Sequence, residues 1–129
     1  MSVFLMTIAA GAQLHAEGRY REAEVAFRTE LTRAEQTWGP QHSETALVLN
    51  NLGITLFSSG RAGEAEPLVR RAISIWDQDT AAHAVNLAAA LNNLGALEAA
   101  RGSGRAAEAH YLRALALVDP DKPEAAPKP

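Results

Sequence analysis

The chain has 129 residues, 47% apolar and 21% charged, with no cysteine, which describes a single soluble domain able to bury about two-thirds of its unfolded surface. Without cysteine there is no disulfide scaffold, thiolate metal site or cysteine nucleophile. Twelve Lys+Arg against fifteen Asp+Glu leave a net charge of −3, the wrong sign for the footprint of a nucleic-acid binder, so no nucleic-acid partner is expected.

The opening twelve residues, Met1 to Ala12, are apolar and end in small side chains, as a signal peptide does, but carry no basic n-region. No run reaches the roughly 18 apolar residues of a membrane span. A cytoplasmic chain without a membrane partner is the expectation, and ten Arg against two Lys hint at a bacterial source.

The sequence repeats itself every 42 residues. Gly11, Gly53 and Gly95 form one column, Gly18, Gly60 and Gly102 a second, Ala23, Ala65 and Ala107 a third, and Phe27, Val69 and Tyr111 a fourth. Such a period marks a repeat architecture. Three copies follow, at about 1–42, 43–84 and 85–118, with a Pro-rich tail over 119–129 that lacks hydrophobic periodicity and reads as disordered.

Within each copy apolar residues recur at steps of three and four around a central glycine, the pattern of two helices and a turn. In the first copy Glu22, Glu24, Arg28, Glu30, Arg33 and Glu35 read as the solvated face of the second helix, and Trp38 closes that helix. In the second copy Ser43 is the predicted N-cap, and a helix carrying Ala46, Leu49, Leu52, Ile54 and Phe57 stops near Ser58-Ser-Gly60. A second helix presents Ala65, Leu68, Val69, Ala72, Ile73 and Trp76, with Pro67 predicting a local bend. Gly60 suits the left-handed turn, and Gly53 with Ala65 marks a close approach of the two helices. In the third copy Leu91-Asn-Asn-Leu-Gly95 repeats Leu49-Asn-Asn-Leu-Gly53. Gly102-Ser-Gly-Arg105 is a helix-to-helix turn with Ser103 as its cap, since no strand precedes it to make a phosphate loop.

The Leu-Gly pair, Gly seven residues on, Ala five beyond, then Phe, Val or Tyr after four more, resemble the tetratricopeptide repeat over residues 1 to about 118. The 42-residue spacing, the Leu-Asn-Asn-Leu-Gly segments and the Trp38-Gly-Pro-Gln-His42 connector are similar to the kinesin light chain class. The resemblance implies an all-α fold, a right-handed α-solenoid of three antiparallel helix pairs, and a protein-interaction role without catalysis. The first copy departs from the pattern, with Ile8-Ala9 in place of the paired Asn and Glu30 where the others have Ala.

If the copies stack as that resemblance implies, the first helix of each lines a concave surface. The stripe includes Asn50, Asn51, Ile54 and Phe57 in the second copy and Asn92, Asn93 and Ala96 in the third. Asn offers both a donor and an acceptor, which suits the backbone of an extended peptide, and in the family such Asn commonly clamp ligand backbones. Lys122 and Lys128 both lie in the tail, so a cationic clamp for an acidic terminus is disfavoured. A second reading of Asn50 and Asn92 is that they cap or bridge neighbouring helices. His15, His42, His83 and His110 are scattered without ligand spacing, so neither a metal nor a cofactor is expected.

The ends carry apolar residues with no helix to cover them, Phe4 at one and Leu112, Leu115 and Val118 at the other. Exposed apolar ends favour association. The leading reading is a module binding an extended peptide or partner segment along an Asn-lined groove. The alternative is a structural or oligomerisation subunit joined through its terminal helices, as a homo-oligomer or on a larger partner. A sensor of small molecules is a third reading.

Overall fold

The structure, a computed structural model, describes residues 3–119, with side chains from Ile8 onward. Phe4, expected on an end surface, and most of the predicted tail fall outside the described side chains. Six helices follow one another: α1 (Val3–Ala16), α2 (Tyr20–Trp38), α3 (Ser43–Ser58), α4 (Ala62–Trp76), α5 (Ala84–Ala100) and α6 (Gly104–Val118), with a 3-10 turn at Asp77–Asp79 before α5. No strand occurs among the described residues. The chain divides between Ile75 and Trp76 into two compact units.

The turn of each hairpin is closed by the predicted glycine column. Gly18, Gly60 and Gly102 have φ of 78°, 84° and 83°, a left-handed conformation that costs a residue with a Cβ but not glycine. At Gly60 the amide donates to Phe57 O at 3.0 Å and that of Arg61 to Leu56 O at 2.8 Å. The same bond pair closes α1 at Gly18 and α5 at Gly102, satisfying carbonyls that a helix end otherwise leaves open.

In the first unit, Ala23, Phe27 and Ala34 of α2, Ala46, Leu49, Leu52 and Leu56 of α3, and Ala65, Val69 and Ala72 of α4 are buried. Gly53 sits at the expected close approach, since a Cβ built there would lie 2.6 Å from Val69 Cγ2 and 3.4 Å from the Ala65 carbonyl oxygen. Gly11 meets the Phe27 ring in the same way, which gives a packing reason for a glycine inside a helix despite its ~1 kcal/mol propensity cost. Helix α4 continues through Pro67.

Charged side chains tie the helices of this unit together at its edges. The Arg61 guanidinium donates to Glu64 at 2.7 Å and to Glu24 of α2 at 2.6 Å, and Glu24 also accepts from Arg28 at 2.8 Å. The hydrogen bonds from Arg28 and Arg61 hold the Glu24 carboxyl below the usual carboxylate range. Arg71 of α4 reaches Glu35 of α2 at 2.8 Å and the Pro40 carbonyl at 3.2 Å.

Two local expectations are corrected. The N-cap of α3 is His42, whose Nδ1 accepts the Glu44 amide proton at 3.0 Å, and Ser43 is already the first helical residue. An imidazole nitrogen with a free lone pair serves as well as a hydroxyl there, and stacking on Trp38, with ring centroids 5.7 Å apart, holds it in place. Glu30 is not on a solvated face. It is 1% exposed, its Oε2 has no hydrogen-bond partner, and Oε1 lies 3.7 Å from Arg33 Nη1. Its column determines this, because residues 72 and 114 at the same register are buried alanines.

In the second unit, Leu87, Leu91, Leu94 and Leu97 of α5 and Ala107 and Ala114 of α6 are buried. A Cβ on Gly95 would lie 2.5 Å from Tyr111 Cε1, the counterpart of Gly53 against Val69. Ser103 occupies the N-cap position of α6 but makes no side-chain cap bond.

Candidate functional site

A small cavity of about 90 Å3 opens in the first unit, lined by Ala12 and His15 of α1, Phe27 of α2, and Asn51, Ile54 and Thr55 of α3. Successive residues on a helix point about 100° apart, so Asn50 and Asn51 cannot share a face. Asn50 points into the protein, 7% exposed and already engaged, which corrects its place in the exposed stripe. Asn51 is half-buried at the cavity. Ile54 forms part of the same wall, whereas Phe57 is half-buried and does not line it.

Sequence reasoning missed His15 and Thr55. The repeat holds a signal for the first of them, because positions 15, 57 and 99 form one column and Phe57 already lies on the predicted stripe. Thr55 is buried and its hydroxyl donates to the Asn51 carbonyl at 2.9 Å. His15 Nδ1 lies 3.0 Å from the same hydroxyl oxygen, and the His15 ring packs on Tyr20 with centroids 5.2 Å apart and an interplanar angle of 56°.

In the second unit the equivalent stretch of α5 presents Asn92 exposed, Asn93 half-buried and already engaged, and Ala96 half-buried. On α6, Leu112, Leu115 and Val118 are 49%, 37% and 50% exposed. Among the described residues no cluster of three or more His, Asp or Glu has the geometry to hold a metal, and no helix is long and apolar enough to cross a membrane.

The site is therefore an open, largely apolar depression with one amide and one imidazole at its rim. A family model described as tetratricopeptide repeat matches residues 3–78, and a second matches residues 87–118. The crystal structure of BtubC (BKLC) from P. vanneervenii is similar to this chain, with a TM-score of 0.80 and 25% identity over 98% of the chain. The chain spans half the length of that structure. No curated protein matches it.

Proposed function

Since this chain belongs to the tetratricopeptide repeat family, whose repeats mediate protein–protein interaction, we propose that it holds an extended segment of a partner protein on the face where α1 meets α3. The observation that carries this reading is the cavity lined by Ala12, Phe27 and Ile54 with Asn51 beside it. The Asn51 side-chain amide has no partner among the described residues, so its donor and acceptor are available to a peptide backbone. In the second unit the exposed Asn92, with Ala96 one turn on, offers a contact stretch of the same chemistry. Asn50 serves the fold in this reading.

A displayed random-peptide library selected on the intact chain tests the proposal. Ile54→Lys, which places a charge in the apolar wall, is expected to abolish binding of the selected peptides, and Asn51→Ala to weaken it about tenfold, the size of one hydrogen bond. Circular dichroism and melting verify that both variants fold. Peptides that bind both variants as well as the wild type refute the site.

A second reading, association through an end helix, is favoured by the exposed Leu112, Leu115 and Val118 on α6. It requires self-association or partner docking that Leu112→Ser with Leu115→Ser removes. A monomeric mass by analytical ultracentrifugation at high concentration refutes the self-association form.

A further inference from the structure

The hydrogen bonds around Thr55 decide where the proton on His15 sits. A threonine hydroxyl has one proton and a carbonyl has none. The 2.9 Å contact from Thr55 Oγ1 to the Asn51 carbonyl therefore consumes the hydroxyl proton, and toward His15 the same oxygen can only accept. Nδ1, 3.0 Å away, must donate. In the neutral ring the lone pair is then on Nε2, for which no partner exists among the described residues. The ring packs on Tyr20 of α2, and His15 is itself part of the cavity wall.

From this we infer that His15 is the ligand-reading residue of the site, with Nε2 accepting a backbone N–H of the bound segment. The adjacent side chain of that segment is small and aliphatic and fills the cavity. At about 90 Å3, and with roughly 30 Å3 as the share of one water in the liquid, the cavity has room for about three heavy atoms. A valine side chain matches that room better than an aromatic ring does. Thr55 acts as a positioning residue through the tautomer it imposes. The inference rests on the peptide-binding reading above and adds to it a required donor and a side-chain size.

Two measurements on the intact chain test it. The first is a long-range 1H–15N correlation spectrum of histidine-labelled protein at mildly alkaline pH, with the His15 signal identified by its loss in His15→Gln. The expected result is the Nδ1–H tautomer in the wild type and a shift toward Nε2–H in Thr55→Val; an Nε2–H wild type overturns the inference. The second uses the tightest library peptide with each backbone amide N-methylated in turn. One methylation is expected to cost about tenfold against the wild type and nothing further against His15→Phe, while valine-to-phenylalanine replacement at the neighbouring position is expected to abolish binding. If Asn51→Ala and Ile54→Lys weaken the peptide but no methylation distinguishes wild type from His15→Phe, the binding face stands and the role of His15 falls. If no peptide responds to Asn51→Ala or Ile54→Lys, the peptide-binding reading falls and the ligand part of this inference with it.

Discussion

Replacing Glu30 by methionine is expected to make the protein more stable. The carboxylate is removed from water at 1% exposure, Oε2 receives no hydrogen bond, and the 3.7 Å separation of Oε1 from Arg33 Nη1 is too long for one. A buried polar atom left in that state costs about 1–3 kcal/mol. Methionine has similar length, no polar atom and the flexibility to fill the same space. The expected gain is therefore about 1–3 kcal/mol, a rise in Tm of roughly 4–12 °C at about 4 °C per kcal/mol for a chain of this size. Glu30→Ala would match residues 72 and 114 but leaves a void, and a methionine-sized side chain truncated to alanine costs about 2–5 kcal/mol, so this variant is expected to melt near or below the wild type. Thermal and urea unfolding followed by circular dichroism measure both. A Glu30→Met protein that melts below the wild type would mean that the carboxylate is paired in solution, and the reasoning from its unpartnered oxygen would be wrong.

Gly53→Ala gains about 1 kcal/mol of helix propensity but drives a methyl to 2.6 Å from Val69 Cγ2 and 3.4 Å from the Ala65 carbonyl; overpacking of about 1–3 kcal/mol is expected to win, with Val69→Ala in the same chain recovering part of the loss in urea melts. Glu24 is held below the usual carboxylate range by Arg28 and Arg61, so its contribution is present above the unfolded carboxyl value of about 4.3 and is lost as pH falls through the lower folded value; Glu24→Gln is expected to flatten the acid limb of the Tm-against-pH curve, and an unchanged limb contradicts this. His42→Ala removes the cap of α3 and is expected to cost about 1 kcal/mol and to alter Trp38 fluorescence through loss of the stacked ring; His42→Asn, a good capping residue, restores the stability but not the fluorescence.

The helical hairpins were legible because glycine, alanine and one larger residue recur in register, and register across copies reports packing better than the chemistry of any one side chain. Gly60 and Gly53 were read correctly for that reason. Glu30 was misread because it lies among charged neighbours that are exposed, Arg33 included, although alanines 72 and 114 share its column. Asn50 and Asn51 show a related limit, since a repeated dipeptide looks like a single feature in sequence while the helix separates its two side chains by about 100°. His42 as a cap and the hydrogen-bonded chain from His15 through Thr55 to the Asn51 carbonyl depend on atoms brought together across a connector or between helices. Only the column shared by His15, Phe57 and Ala99 pointed to the first of these residues, and nothing in the repeat pattern marks Thr55, whose counterparts at 13 and 97 are Gln and Leu.

Each hairpin seats one side chain of its second helix on a glycine of its first: Phe27 on Gly11, Val69 on Gly53, Tyr111 on Gly95. The socket is identical in all three while the plug is an aromatic ring, a branched aliphatic chain or a phenol. The chain thus contains one substitution experiment already carried out three times, and its outcome is one-sided. Change on the second helix finds a vacancy to occupy, whereas any side chain added on the first meets a space already taken. Heritable variation in such a protein has a direction, and a line of descendants can retool the second helices of its hairpins while the first helices stay bare at that point.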